Sequence, residues 1–79
     1  MVDTKEVEKL CAGIVRLLRE ERERQGLSML RVAHRAGLSQ QMVSYVERGV
    51  RRPTLDTVLR ISAALNLDLA DVVQNARQH

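Results

Sequence analysis

Caps and stops restrict the fold of this chain more than any other feature of its sequence. Ser28, Ser39, Thr54 and Asp68 all have side chains that cap a helix N-terminus. Each follows closely on a helix-ending residue or turn: Gly26, Gly37, Gly49 with Pro53, and Asn66-Leu67. Between these marks the apolar residues recur at three-four spacing, the period of a helix face. Val7, Leu10, Cys11, Ile14, Leu17 and Leu18 predict a first helix from Thr4 to Gln25, capped by Asp3 or Thr4. A second runs from Met29 to Arg35 or Ala36, with Leu30, Val32 and Ala33 inward. A third runs from Gln40 to Arg48. A fourth carries Leu55, Val58, Leu59, Ile61 and Leu65, and a fifth carries Leu69, Val72, Val73 and Ala76. There is no alternating strand pattern, internal repeat or low-complexity run.

The expected fold class is therefore all-α, with five helices. The second helix, the turn at Gly37 and the third helix together have the size and punctuation of a helix-turn-helix. Residues 1–79 are enough for a single domain. Its core has to be aliphatic, because Tyr45 is the only aromatic residue. A core this small gains from oligomerisation. Cys11 has no second cysteine to pair with, as in a reducing compartment. The first residues lack the basic-then-apolar layout of a secretory signal, and no apolar run reaches the roughly 20 residues of a membrane span. The expectation is a soluble cytoplasmic protein with no membrane partner.

The net charge of +3 is unevenly spread. Residues 1–27 are neutral overall, residues 28–60 carry +4, and residues 61–79 carry −1. A basic middle segment suits a polyanion. Steps of about 100° per residue along the third helix put Gln40, Gln41, Ser44, Tyr45 and Arg48 on one half and Val43, Val46 and Glu47 on the other. The outward half has no acid. Glutamine can donate and accept through one amide, which matches N7 and N6 of adenine in the major groove. Glutamines in the first turn reach base edges when a helix enters the groove by its N-terminus.

The stretch from Arg22 to Leu69 resembles the Cro/cI-type, or xenobiotic-response-element-like, helix-turn-helix regulators. The likeness is carried by Ala33 with Gly37-Leu38-Ser39, by Ser44-Tyr45-Val46-Glu47-Arg48-Gly49, and by Pro53-Thr54-Leu55. It implies a compact five-helix, repressor-type DNA-binding domain acting as a transcriptional regulator. It implies that Gln40, Gln41, Ser44 and Tyr45 face the bases, and that the 50–53 loop with Arg51 and Arg52 follows the phosphates. Ser28, Met29, Ser39 and Arg48 complete the expected phosphate contacts. Met29 departs from the family's usual Gln or Thr, which leaves the backbone N–H groups there to hold phosphate. The resemblance also implies an ion pair between Arg22 and Glu47, and the helical wheel independently places Glu47 inward.

His34 and His79 share no ligand spacing with Cys11, so no metal site is expected, and no motif calls for a cofactor. His34 reads as solvent-exposed and Cys11 as a packing residue. No nucleophile–base set suggests an enzyme. The alternatives to a DNA-binding regulator are an antitoxin-like protein-interaction module of the same fold and a restriction–modification controller protein. The residues identify no toxin or polymerase partner. One recognition helix reads only a few base pairs, so a homodimer on a palindromic double-stranded operator is expected. Leu69, Val72, Val73 and Ala76, with Val7, Leu10 and Cys11 of the first helix, are the expected dimer interface.

Overall fold

The structure, a computed structural model, describes residues 1–78. His79 lies outside the described residues. The helices are α1 (Thr4–Arg24), α2 (Met29–Ala36), α3 (Gln40–Glu47), α4 (Leu55–Ala64) and α5 (Leu69–Gln78). No strand occurs among the described residues. All five starts are capped by the expected residues. The Asp3 carboxylate accepts from the amides of Lys5 and Glu6, and that of Asp68 from the amide of Ala70. The hydroxyls of Ser28, Ser39 and Thr54 accept from the amides of Arg31, Met42 and Thr57. Each bond satisfies one of the orphan N–H groups at a helix start. Gly26, Gly37 and Gly49 all have φ near +70°, so the expected stops lie in the left-handed region. The third helix ends one residue early, with Arg48 as its C-cap.

The core is small and aliphatic. Leu18, Val32, Ala33, Ala36, Val43, Val46, Ile61, Ala64, Leu65 and Val72 are buried, one group from every helix. On α2 the inward stripe is Met29, Val32, Ala33 and Ala36, spaced i, i+3, i+4, i+7. Leu30 falls outside that stripe and is 61% exposed, which corrects its expected inward place. Leu55 and Leu59 also face out, 68% and 49% exposed, one turn apart on α4. Only Val58, Ile61 and Leu65 of the expected set turn inward there.

The expected dimer face on α5 is partly drawn into the monomer. Val72 is only 4% exposed and belongs to the core, and Leu69 packs against it. Ala76 lies against Gly13 of α1, so close that a Cβ on Gly13 would sit 3.5 Å from the Ala76 Cβ. Val72 is thereby spent on the monomer, whereas Leu69, Val73 and Ala76 stay half-buried and Val7 of α1 is 39% exposed.

Candidate nucleic-acid interface

An eight-residue helix does not hold its own shape in water, so the placement of α3 comes from what it packs against. Val43 and Val46 anchor its inner side in the core. Its C-terminal end is fixed by a fork. Arg22 Nε donates to Glu47 Oε2 at 2.7 Å and Arg22 Nη2 to Oε1 at 2.9 Å. The third guanidinium branch, Nη1, donates to the carbonyl of Leu27 at 2.8 Å. The side chains are 12% and 8% exposed. Partial burial and two-point geometry make this a strong charge-assisted pair. Donating hydrogen bonds to the Glu47 carboxylate holds the Arg22 guanidinium above its ordinary pKa range. One side chain thus joins α1, the turn before α2 and the end of α3; the Arg22–Glu47 pair is the one the family resemblance implied, and the Leu27 contact is additional.

The outer side of α3 is left open. Gln40 and Gln41 are exposed at its first turn, and Ser44 and Tyr45 are half-buried one turn on. The Gln41 amide nitrogen donates to the Tyr45 hydroxyl. The guanidinium of Arg48 lies 5.8 Å from the centre of the Tyr45 ring, and that of Arg51 lies 5.3 Å away. Both distances allow a cation–π attraction. Sequence reading placed these four residues on the same surface but missed their mutual contacts. The i, i+4 spacing of Gln41 and Tyr45 was the available signal.

The expected phosphate-contacting residues divide by what they do. Ser28 and Ser39 use their oxygens to cap α2 and α3, and each hydroxyl keeps a proton that can still be donated. Met29 is half-buried and packs against the core, so its apolar side chain offers no hydrogen bond to a phosphate. At the start of α2 only the backbone N–H groups and the Ser28 hydroxyl remain to meet an anion. Arg48, Arg51 and Arg52 are exposed.

Ion pairing sharpens the charge pattern. Arg16, Arg19, Arg22, Arg24 and Arg60 each have a carboxylate within 4 Å. Among the described residues, Arg31, Arg35, Arg48, Arg51, Arg52 and, on α5, Arg77 have none. Arg31 and Arg35 lie on α2, Arg35 beside Ala63 and Asn66 at the end of α4, whereas Arg48, Arg51 and Arg52 lie at the end of α3 and in the loop that follows it. Their positive charge is therefore not cancelled locally. His34 is exposed on α2, as expected. Cys11 is half-buried and free. No helix is long and apolar enough to cross a membrane among the described residues.

Comparison with known proteins agrees with this fold. The helix-turn-helix family model matches residues 18–72. An uncharacterized HTH-type transcriptional regulator of Mycobacterium tuberculosis is 40% identical over 50 residues, covering 63% of this chain and 36% of that protein. The chain thus spans about a third of that relative's length. An uncharacterized HTH-type transcriptional regulator of Sinorhizobium fredii is 35% identical over 68 residues, covering 86% of this chain and 84% of the relative. The fold is also similar to a crystal structure of the restriction–modification controller protein C.Esp1396I in a mutant form. The TM-score is 0.80 at 17% identity, over 87% of this chain and 90% of that one. The chain belongs to the Cro/cI-type helix-turn-helix family, with α2 and α3 as the two helices of the motif.

Proposed function

We propose that this protein is a sequence-specific, double-stranded DNA-binding transcriptional regulator that lays α3 in the major groove. The observation that carries this is the pairing of an acid-free, exposed first turn of α3 with Arg48, Arg51 and Arg52, exposed arginines without a carboxylate partner at the end of that helix and in the loop after it. Gln40 and Gln41 read base edges, joined by Ser44. Arg48, Arg51 and Arg52 grip phosphate, with the Ser28 and Ser39 hydroxyls and the first amides of α2 and α3 beside them. The protein acts by binding, without catalysis, and in the cytoplasm where its DNA target lies.

The chain works as a homodimer on a palindromic operator. With α5 folded onto α1, Leu55 and Leu59 of α4 are the exposed apolar pair that supports a two-fold contact. The two α3 helices then lie about 34 Å apart, on successive turns of the duplex.

Selection of bound duplexes from a random pool is the deciding experiment. It should return one sequence with two inverted half-sites. Arg51→Ala and Arg52→Ala should weaken binding to every duplex and lower the slope of log K against log salt by about 1 per lost phosphate contact. Retention of no duplex at low salt would end this reading. Leu55→Asp or Leu59→Asp should turn a dimer into a monomer by sedimentation equilibrium, and a wild-type monomer at micromolar concentration on its operator would end the dimer.

A further inference from the structure

The Tyr45 hydroxyl is held in place from two sides. Its ring is half-buried and lies beneath the guanidinium groups of Arg48 and Arg51, 5.8 and 5.3 Å from the ring centre. Its oxygen accepts one N–H of the Gln41 amide. Gln41 itself is exposed and long, and three freely rotating torsions would otherwise let its amide point in many directions. A free glutamine loses that freedom on binding, whereas a held one does not.

We propose that Tyr45 is a positioning residue that holds the Gln41 amide in place for base reading. The idea rests on the DNA-reading role argued above. A glutamine amide has two N–H donors on Nε2 and an acceptor at Oε1. With one N–H engaged by Tyr45, the amide presents the other N–H and Oε1 side by side. That donor–acceptor pair complements N7 and N6 of adenine. With the amide turned over, Oε1 would face Tyr45 and two N–H groups would face the groove. That pattern suits the two acceptors of guanine, N7 and O6. A tyrosine hydroxyl can accept from Nε2 or donate to Oε1, so the contact fixes where the Gln41 amide sits; in the orientation of the structure it presents the pair that matches adenine. Tyr45 contributes to base choice through Gln41, without itself touching that base.

Tyr45→Phe tests this, because it keeps the ring under both arginines and removes only the hydroxyl. Affinities would be measured at fixed salt for wild type, Tyr45→Phe, Gln41→Ala and the double variant. The probes are the best duplex from the random pool, every single-base-pair change in it, and an unrelated duplex. Gln41→Ala marks the base pair that Gln41 reads. Tyr45→Phe should lower discrimination at that same base pair by about 3- to 10-fold, the worth of one neutral hydrogen bond. Its affinity for the unrelated duplex should stay within about twofold, and the double variant should match Gln41→Ala. Thermal melting confirms that each variant is folded. An equal loss on all duplexes, a loss at a different base pair, an additive double variant or no loss at all would overturn the positioning role. If Gln41→Ala shifts base preference and Tyr45→Phe does not, this role alone falls. If the wild type shows no base preference, the DNA-reading role falls and takes this one with it.

Discussion

Glu47→Ala is the substitution whose cost the structure defines best. It removes the acceptor of two short hydrogen bonds from Arg22, at 2.7 and 2.9 Å, and leaves the guanidinium with only the Leu27 carbonyl. Both side chains are close to 10% exposed, so water cannot freely replace the lost carboxylate. Breaking such a pair from one side costs about 3–5 kcal/mol. A chain of this length has a total stability of about 4–12 kcal/mol, so the loss is a large fraction of the whole. Urea denaturation followed by far-ultraviolet circular dichroism measures it. With a slope near 1 kcal/mol per molar for a small domain, the midpoint should fall by about 3 M or more. Arg22→Met with Glu47→Leu replaces the pair by apolar groups of similar size and should recover most of that loss. A Glu47→Ala cost under about 1 kcal/mol, or a double-mutant cycle without coupling, would refute the claim that this fork fixes α3.

Three smaller predictions concern the scaffold. Ser62 is buried with its hydroxyl unpaired, so Ser62→Ala should raise stability by about 1 kcal/mol, and a loss of that size would mean that the hydroxyl is bonded after all. Gly37→Ala should cost about 1–2 kcal/mol in the same assay, because φ is +70° and the new Cβ would meet Arg60 Nη1 at 3.1 Å; a neutral result would remove the left-handed stop as a reason for glycine. Glu21 has its pKa lowered to about 2 by hydrogen bonds from Arg24 and Gln25. A depressed carboxylate stabilises the fold fully above its unfolded pKa and loses that effect as pH falls toward the folded value. Wild type should therefore lose more stability than Glu21→Gln between pH 5 and about pH 2, and equal acid limbs would dismiss the contribution.

Much of this fold was legible because its signals are local. A cap, a stop and a three-four apolar period each act within a few residues, and together they gave all five helices and the inward turn of Glu47. Side-chain direction on short helices was less legible. On α2 both Met29 and Leu30 are apolar, and the eight residues hold too few turns to show which one joins the stripe. Packing against α3 and α4 chose Met29. The placement of α5 was not legible for a different reason. An apolar face reads the same whether its partner is another chain or the far end of its own. Gly13 was the one clue, since a residue without a side chain inside a helix permits a close neighbour. The contact of Gln41 with Tyr45 depends on rotamers, which a sequence does not specify.

The division of α3 into a held side and an open side leads to a last prediction. Its stability comes from Val43 and Val46 in the core and from Glu47 in the fork, all on the inner side. Gln40 and Gln41 are exposed, and Gln41 hydrogen-bonds to Tyr45 on its own helix. Exposed positions of this kind usually change stability by no more than about 0.5 kcal/mol when replaced. Base choice and folding should therefore separate. Exchanging Gln40 and Gln41 for other long polar residues, singly or together, should leave the urea midpoint within about 0.5 M of wild type. The same exchanges should change the sequence recovered from a random duplex pool, with each well-read base pair worth about 1–3 kcal/mol. Variants that destabilise the fold as much as Glu47→Ala, or that recover an unchanged operator, would show that the outer side of α3 is part of the scaffold and not its reading surface.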